Sequence, residues 1–252
     1  MTFVVPAEAY GRFMGRFSEP LAPVFADACG VREGQRVLDV GCGPGALTAE
    51  LVRRLGPDAV TAIDPSPPFV EATAAQFPRV DVRTGSAEEL PFADARFDAA
   101  LAQLVVHFIA DPVQGLREMR RVTRSGGTVG ACVWDHGSGS GPLSVFWTAV
   151  HDLAPDAPTE DNRAGTREGQ LVELARAAGL DSAKPGTVSV TVSFPTFDDW
   201  WEPFTLGVGP AGAYVAGLDP DHRAALRDRC AERLPDAPFT VTVSAWSVTA
   251  VV

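Results

Sequence analysis

Residues 37–45 read Val37-Leu38-Asp39-Val40-Gly41-Cys42-Gly43-Pro44-Gly45. A short run of strand formers breaks off into three glycines. Glycine lets a chain turn sharply off a strand and lets a ligand approach the backbone. Residues 46–55 follow with Leu47, Leu51, Val52 and Leu55 at helical spacing. The helix start aims free N–H groups at the same place. This stretch therefore predicts a strand–loop–helix unit with a ligand crevice at the carboxyl end of the strand.

The same rhythm continues outward. Residues 59–63 read as a second strand, and Ser66 with Pro67 opens a helix to about Phe77. Residues 80–84 and Phe97–Gln103 are the third and fourth strands. Asp111-Pro112 opens a helix to about Val122, Ser125-Gly126-Gly127 is a turn, and Thr128–Trp134 is the fifth strand. Repeated βα units imply a parallel sheet covered on both faces. Glu168–Ala178 is helical. Segments 184–194 and 239–252 alternate with period two and suit an antiparallel edge pair. The expected fold is α/β: a doubly wound, Rossmann-like, seven-stranded, mostly parallel sheet with an antiparallel edge pair and an inserted helical cap. One domain over 1–252 is expected, with an N-terminal helical lid (1–30), a ligand-binding half (31–134) and a cap from 135–165 and 195–235.

The chain has 252 residues, 24 Gly and 21 Pro, and 46% hydrophobic residues. That suffices for a large core and excludes low-complexity and disulfide-scaffold classes. The net charge is −11 and the isoelectric point about 4.8, which argues against nucleic acid and against anionic membrane as partners. Arg117, Arg120, Arg121 and Arg124 fall at helical spacing and read as a solvated helix face. Cys29, Cys42, Cys132 and Cys230 have neither CxxC nor zinc spacing, so no metal is expected and the thiols suit a reducing compartment. Met1–Phe17 has no basic segment followed by an apolar one, and Leu101–Ala110 is too short to span a bilayer. A cytoplasmic protein is expected. The sequence sets no oligomeric state.

Asp64 ends the second strand about 20 residues after the glycines, where a carboxylate meets a ribose diol. Both features together point to an adenosine-containing cofactor. Gly41-Cys42-Gly43-Pro44-Gly45-Ala46 also reads as G-x-G-x-x-A, so an NAD(P)-dependent oxidoreductase is a rival. Asp39 opposes it, because an acidic side chain there would repel a pyrophosphate. It suits a cationic ligand such as S-adenosylmethionine.

Val37–Gly45 resembles the first motif of the class I S-adenosylmethionine-dependent methyltransferases. Gly85-Ser86-Ala87-Glu88-Glu89-Leu90-Pro91-Phe92 resembles their adenine-binding loop, Phe97 to Gln103 their fourth strand, and Arg120–Gly127 the turn before the fifth. Tyr10–Ser18 is similar to the leading segment of the small-molecule branch typified by ubiquinone and menaquinone biosynthesis. The resemblance implies that Asp39, Gly41, Cys42 and Gly43 hold the methionine moiety and Asp64 the ribose. Pro65, Ser66, Ser86, Ala87 and Glu88 would lie near the adenine, Gln103 beneath the methionine, and Arg16 within reach of the carboxylate. The family often has Asp where Ser86 stands.

The implied reaction is displacement of the sulfonium methyl by a small-molecule acceptor, aided by alignment. His107, four residues past Gln103, is the candidate general base, with packing as its alternative role. His136 and His151 are secondary candidates, and His222 reads as surface. Phe13, Phe17, Trp134, Phe146, Trp147, Trp200, Trp201 and Phe204 either line a pocket for an apolar or aromatic acceptor or pack the cap on the sheet. Gly207–Gly212 is formally G-x-G-x-x-G but follows no strand. After the fourth strand, Gln103-Leu104-Val105-Val106 lacks the pattern used to methylate amines of nucleic-acid bases. A non-catalytic module that binds S-adenosylmethionine is the third reading.

Overall fold

β1 (Val37–Val40) and β2 (Val60–Asp64) are buried at every position, as strands covered on both faces must be. They lie in the middle of one sheet. A computed structural model describes residues 7–157 and 163–252. The other strands are β3 (Asp81–Thr84), β4 (Phe97–Gln103), β5 (Thr123–Trp134), β6 (Lys184–Phe194) and β7 (Phe239–Val251). The order is β3-β2-β1-β4-β5-β7-β6. β1 to β5 run parallel, whereas β7 is antiparallel to both β5 and β6. β6, at the edge, buries Val188, Val190 and Phe194 and exposes Ser189, Thr191 and Ser193, which is the period-two pattern read from its sequence.

The helices are α1 (Ala7–Tyr10), α2 (Arg16–Ala28), α3 (Ala46–Leu55), α4 (Pro67–Gln76), α5 (Pro112–Val122), α6 (Ser144–Leu153), α7 (Gln170–Ala177), α8 (Phe197–Trp201), α9 (Gly209–Ala216) and α10 (Pro220–Ala231). A π-helical turn, Gly11–Gly15, joins α1 to α2. No helix among the described residues is long and apolar enough to cross a membrane.

One local expectation is corrected. Ser125-Gly126-Gly127 is not a turn before β5 but lies inside it. Pairing jumps from Phe97–Thr123 to Ala99–Thr128, so residues 124–127 bulge from the ladder. Gly127 is required there, since a Cβ would meet the Asp98 and Arg124 carbonyls at 2.6 and 2.8 Å. Gly207–Gly212 is a packing feature: a Cβ on Gly212 would sit 2.6 Å from Gly207. Two of the four arginines at helical spacing are neutralised locally. Arg121 pairs with Glu118 and Asp94, and Arg124 with Asp98.

The first six residues of the expected lid, and 158–162 of the expected cap, lie outside the described residues. The described parts converge on one aromatic side chain. Phe204 stacks on Phe146 of α6 at 4.6 Å and 9°, meets Phe13 edge-on at 5.2 Å and lies 4.8 Å from Trp200 of α8. Arg16 donates from Nη1 to the Asp199 carbonyl at 2.7 Å and from Nη2 to that of Trp200 at 3.2 Å. Arg12 pairs with Glu202 at 3.0 Å. The N-terminal segment is thus strapped to the second cap segment.

Removing a fully buried Phe from such a junction costs about 3–5 kcal/mol. Phe204→Ala should lose that much unfolding free energy in a urea titration. A loss under about 1 kcal/mol would show that the cap segments do not depend on this contact.

Candidate functional site

The site begins where β1 stops. Gly41 has φ +72°, and a Cβ there would lie 2.5 Å from the Val105 side chain, so only glycine fits. The amides of Gly41 and Cys42 donate to the Ile63 carbonyl at 2.7 and 3.1 Å. Gly43 donates to Asp64 Oδ2 at 2.9 Å and accepts from Thr73 Oγ1 at 2.9 Å. A Cβ on Gly43 would meet nothing within 4 Å; this face of the loop is open.

The loop forms one wall of a pocket of about 720 Å³. Asp39, Asp64, Pro65, Ser66, Gln103 and Tyr10 also line it, and no lysine, arginine or histidine does among the described residues. Asp39 is almost wholly buried, and its Oδ2 accepts from Thr48 Oγ1 at 2.6 Å. Its Oδ1 is buried with no partner. Burial, with the nearby Asp64 charge, pushes its carboxyl up to about 7. Asp64 accepts one backbone N–H on each oxygen, from Ser66 at 2.8 Å and from Gly43. Burial raises its pKa as well, against those two hydrogen bonds. Gln103 donates from Nε2 to the Ser18 carbonyl at 3.0 Å and leaves Oε1 buried without a partner.

A second pocket, of about 480 Å³, adjoins the first and shares Tyr10, Leu104 and Phe108 with it. Leu104 turns the chain between them at φ +63°, a conformation that costs a non-glycine residue roughly 1–3 kcal/mol. Its amide donates to the Cys132 carbonyl at 2.9 Å. The turn delivers the short 3-10 helix Val106–Phe108, and with it His107, to the second pocket. His107 Nδ1 is buried without a partner. Burial first, then the neighbouring His136 and Arg163, hold its pKa well below the usual histidine range. The imidazole is therefore neutral.

Residues 38–130, which run from β1 through the glycine loop to β5, match the family model described as a methyltransferase domain. This stretch is a methyltransferase domain of the class I, S-adenosylmethionine-dependent kind. The chain is 31% identical over 233 residues to an uncharacterized 37.1 kDa protein in transposon TN4556 of Streptomyces fradiae, covering 90% of this chain and 65% of that one. It is 34% identical over 151 residues to the demethylmenaquinone methyltransferase of Renibacterium salmoninarum, covering 60% and 62%. The chain thus spans less than two thirds of the length of either relative. Among solved structures, the phosphoethanolamine N-methyltransferase 2 of Haemonchus contortus, in complex with phosphomonomethylethanolamine and S-adenosylhomocysteine, has the same fold. The TM-score is 0.60 at 17% identity, covering 97% of this chain and 56% of that one.

Of the residues singled out in the sequence, Asp39, Gly41, Cys42, Gly43, Asp64, Pro65, Ser66 and Gln103 line the first pocket. His107 lines the second. Arg16, Ser86, Ala87 and Glu88 line neither. The Arg16 guanidinium is held on the carbonyls of Phe13, Asp199 and Trp200. Ser86 Oγ donates to Glu88 Oε2 at 2.7 Å, and Glu88 Oε1 accepts from the Asp111 amide at 2.8 Å. Of the eight cap aromatics, only Phe13 and Trp134 line the second pocket; Phe146, Trp200 and Phe204 are buried in packing. Tyr10, Phe69, Leu104 and Phe108 were not anticipated as site residues. Tyr10 lay within the N-terminal motif, but nothing in the sequence set it beside β4.

Asp39 makes stability depend on pH. Its carboxyl titrates near 7 folded and near 4 unfolded, so the folded state holds the proton more tightly. Its contribution is fully present below about pH 4 and is lost as pH rises towards 7, at up to about 1.4 kcal/mol per unit. Asp39→Asn removes that loss. The variant should match the wild type in urea unfolding at pH 4 and exceed it by a few kcal/mol at pH 8. An equal difference at both pH values would refute the burial argument.

Proposed function

We propose that this chain transfers the methyl group of S-adenosylmethionine to a small-molecule acceptor, with the donor in the first pocket and the acceptor in the second. The observation that supports this most is the junction of the two pockets. One is acidic, with an unpartnered buried carboxylate oxygen; the other is largely apolar; they meet at Tyr10, Leu104 and Phe108.

The residues present fit this cofactor. Asp39 Oδ1 is an acceptor in want of a cation, and an ammonium meets that need while relieving the cost of a buried carboxylate. Asp64 keeps lone pairs on both oxygens beside its two amide partners, a match for two ribose hydroxyls. The backbone of Gly41, Cys42 and Gly43 lies along the methionine portion, Gln103 Oε1 beneath it, and Pro65 and Ser66 near the adenine. Ser86, Ala87 and Glu88 brace the neighbouring loop, which starts with Gly85 donating to the Asp64 carbonyl at 3.1 Å. Arg16 acts as a strap for the lid and not as a ligand. A dinucleotide finds two carboxylates here and, among the described residues, no basic side chain to meet its pyrophosphate.

S-adenosylmethionine supplies, when bound, a methyl group already activated on a sulfonium. The protein then aligns the acceptor and excludes water. His107, neutral and beside the acceptor, takes the proton that a hydroxyl or acidic carbon must release.

Calorimetric titration should show micromolar binding of S-adenosylhomocysteine and none of NAD. Asp64→Ala should weaken the former at least tenfold, because the carboxylate and the glycine loop it holds are lost together. NAD binding, or an unchanged affinity in Asp64→Ala, would refute the cofactor assignment.

His107→Ala should leave S-adenosylhomocysteine affinity within about twofold. With an acceptor found by screening, it should lower kcat by about a hundredfold. A normal kcat would leave alignment alone as the source of the rate.

A further inference from the structure

Two residues in the wall of the second pocket, Trp134 and His107, each carry a buried nitrogen without a partner. Trp134, at the end of β5, is 2% exposed, and its indole Nε1 is buried without a hydrogen-bond partner. His107 Nδ1 is in the same position on the 3-10 helix after β4. An indole N–H can only donate, and it is seldom left orphaned, because burying it dry is costly. A neutral imidazole nitrogen can accept.

Apart from His136 and Tyr10, the rest of the wall is apolar. Phe13, Met14, Leu104, Phe108, Leu143 and Val208 supply it, and no acidic, lysine or arginine side chain lines the pocket among the described residues. An ammonium brought here would lose its hydration and meet no carboxylate in the wall among the described residues. An uncharged aromatic body buries well against such a wall.

We infer that the second pocket selects an uncharged, flat, apolar acceptor bearing a hydroxyl, that is a phenol or enol, and that Trp134 is the residue that reads the oxygen function of that acceptor. The inference rests on the methyltransferase reading above and adds the acceptor class and a specificity residue to it. In the reaction the acceptor oxygen forms a C–O bond with the methyl carbon as the C–S bond breaks. The C–S electron pair stays on sulfur, and the hydroxyl proton passes to His107. Amine acceptors are disfavoured by the same wall.

The test is binding and needs no turnover. Wild type and Trp134→Phe, which keeps the ring and removes the donor, are titrated at pH 7.5 with 2-naphthol and with 2-naphthylmethylamine, an ammonium at that pH. Both proteins are titrated with S-adenosylhomocysteine in parallel. The wild type should bind 2-naphthol at least tenfold more tightly than the ammonium. Trp134→Phe should weaken 2-naphthol about fivefold or more and leave S-adenosylhomocysteine unchanged, which also shows that the variant is folded. Equal affinity for the two probes, no binding of 2-naphthol at millimolar concentration, or an unchanged 2-naphthol affinity in Trp134→Phe would overturn the inference. If S-adenosylhomocysteine itself failed to bind the wild type, the methyltransferase reading would fall with it. S-adenosylhomocysteine binding without probe discrimination would sink the acceptor class alone.

Discussion

The Asp64 carboxylate is the clamp on which this site depends. It stands at the carboxyl end of β2 and accepts from Gly43 on one oxygen and from Ser66 on the other. The first bond ties down the loop after β1; the second fixes the chain as it enters α4. A loop with three glycines at positive φ has much conformational freedom to lose. A buried acceptor that takes the Gly43 amide, with Thr73 holding the Gly43 carbonyl, restricts it to one arrangement. Loop order and the proposed ribose contact therefore share one side chain. Any change at Asp64 acts on both at once.

The charge of the first pocket follows a different logic. Asp39 and Asp64 are both buried and both have raised pKa values. Only Thr48 supports Asp39, and only on one oxygen. A chain optimised for stability alone would place an apolar residue there, since a half-satisfied buried carboxylate is costly. Retaining it makes sense where a cation completes the set. The −11 net charge of the molecule plays no part in this, because its acids are largely solvated or paired with arginine on the surface, as at α5.

The legible part of this protein is the part encoded locally. Residues 37–45 and Asp64 lie within one βα unit and the next strand, so their spacing carries their meaning. The period-two runs of β6 and β7 likewise show in the sequence, because one face of each strand is buried. Other features escaped because they depend on distant neighbours. Ser125-Gly126-Gly127 looks like a turn, but the β4 ladder resumes beyond it and makes it a bulge. Arg16 looked free to reach a ligand until the fold brought the carbonyls of residues 199 and 200 against it. Most of the cap aromatics proved to be packing, gathered round Phe204. The second pocket draws on residues 10–14, 104–108, 134–143 and 208–210, and no spacing within the chain announces such an assembly.

Leu104 shows how the two pockets are kept separate. Gln103 before it faces the first pocket, His107 after it faces the second, and Leu104 itself lines both. Its left-handed backbone is what lets the short span from Gln103 to His107 serve two chambers. A β-strand continued past Gln103 would alternate its side chains across the sheet, and His107 would not be carried round to the second wall. The strain is held by the Cys132 carbonyl on one side and by close packing of Val105 against Gly41 on the other. Because the division is made by the backbone, the side chains of the second chamber can change without disturbing the Asp39–Asp64 wall. On the proposed reading, acceptor choice can thus vary on this fold while the cofactor site stays as it is.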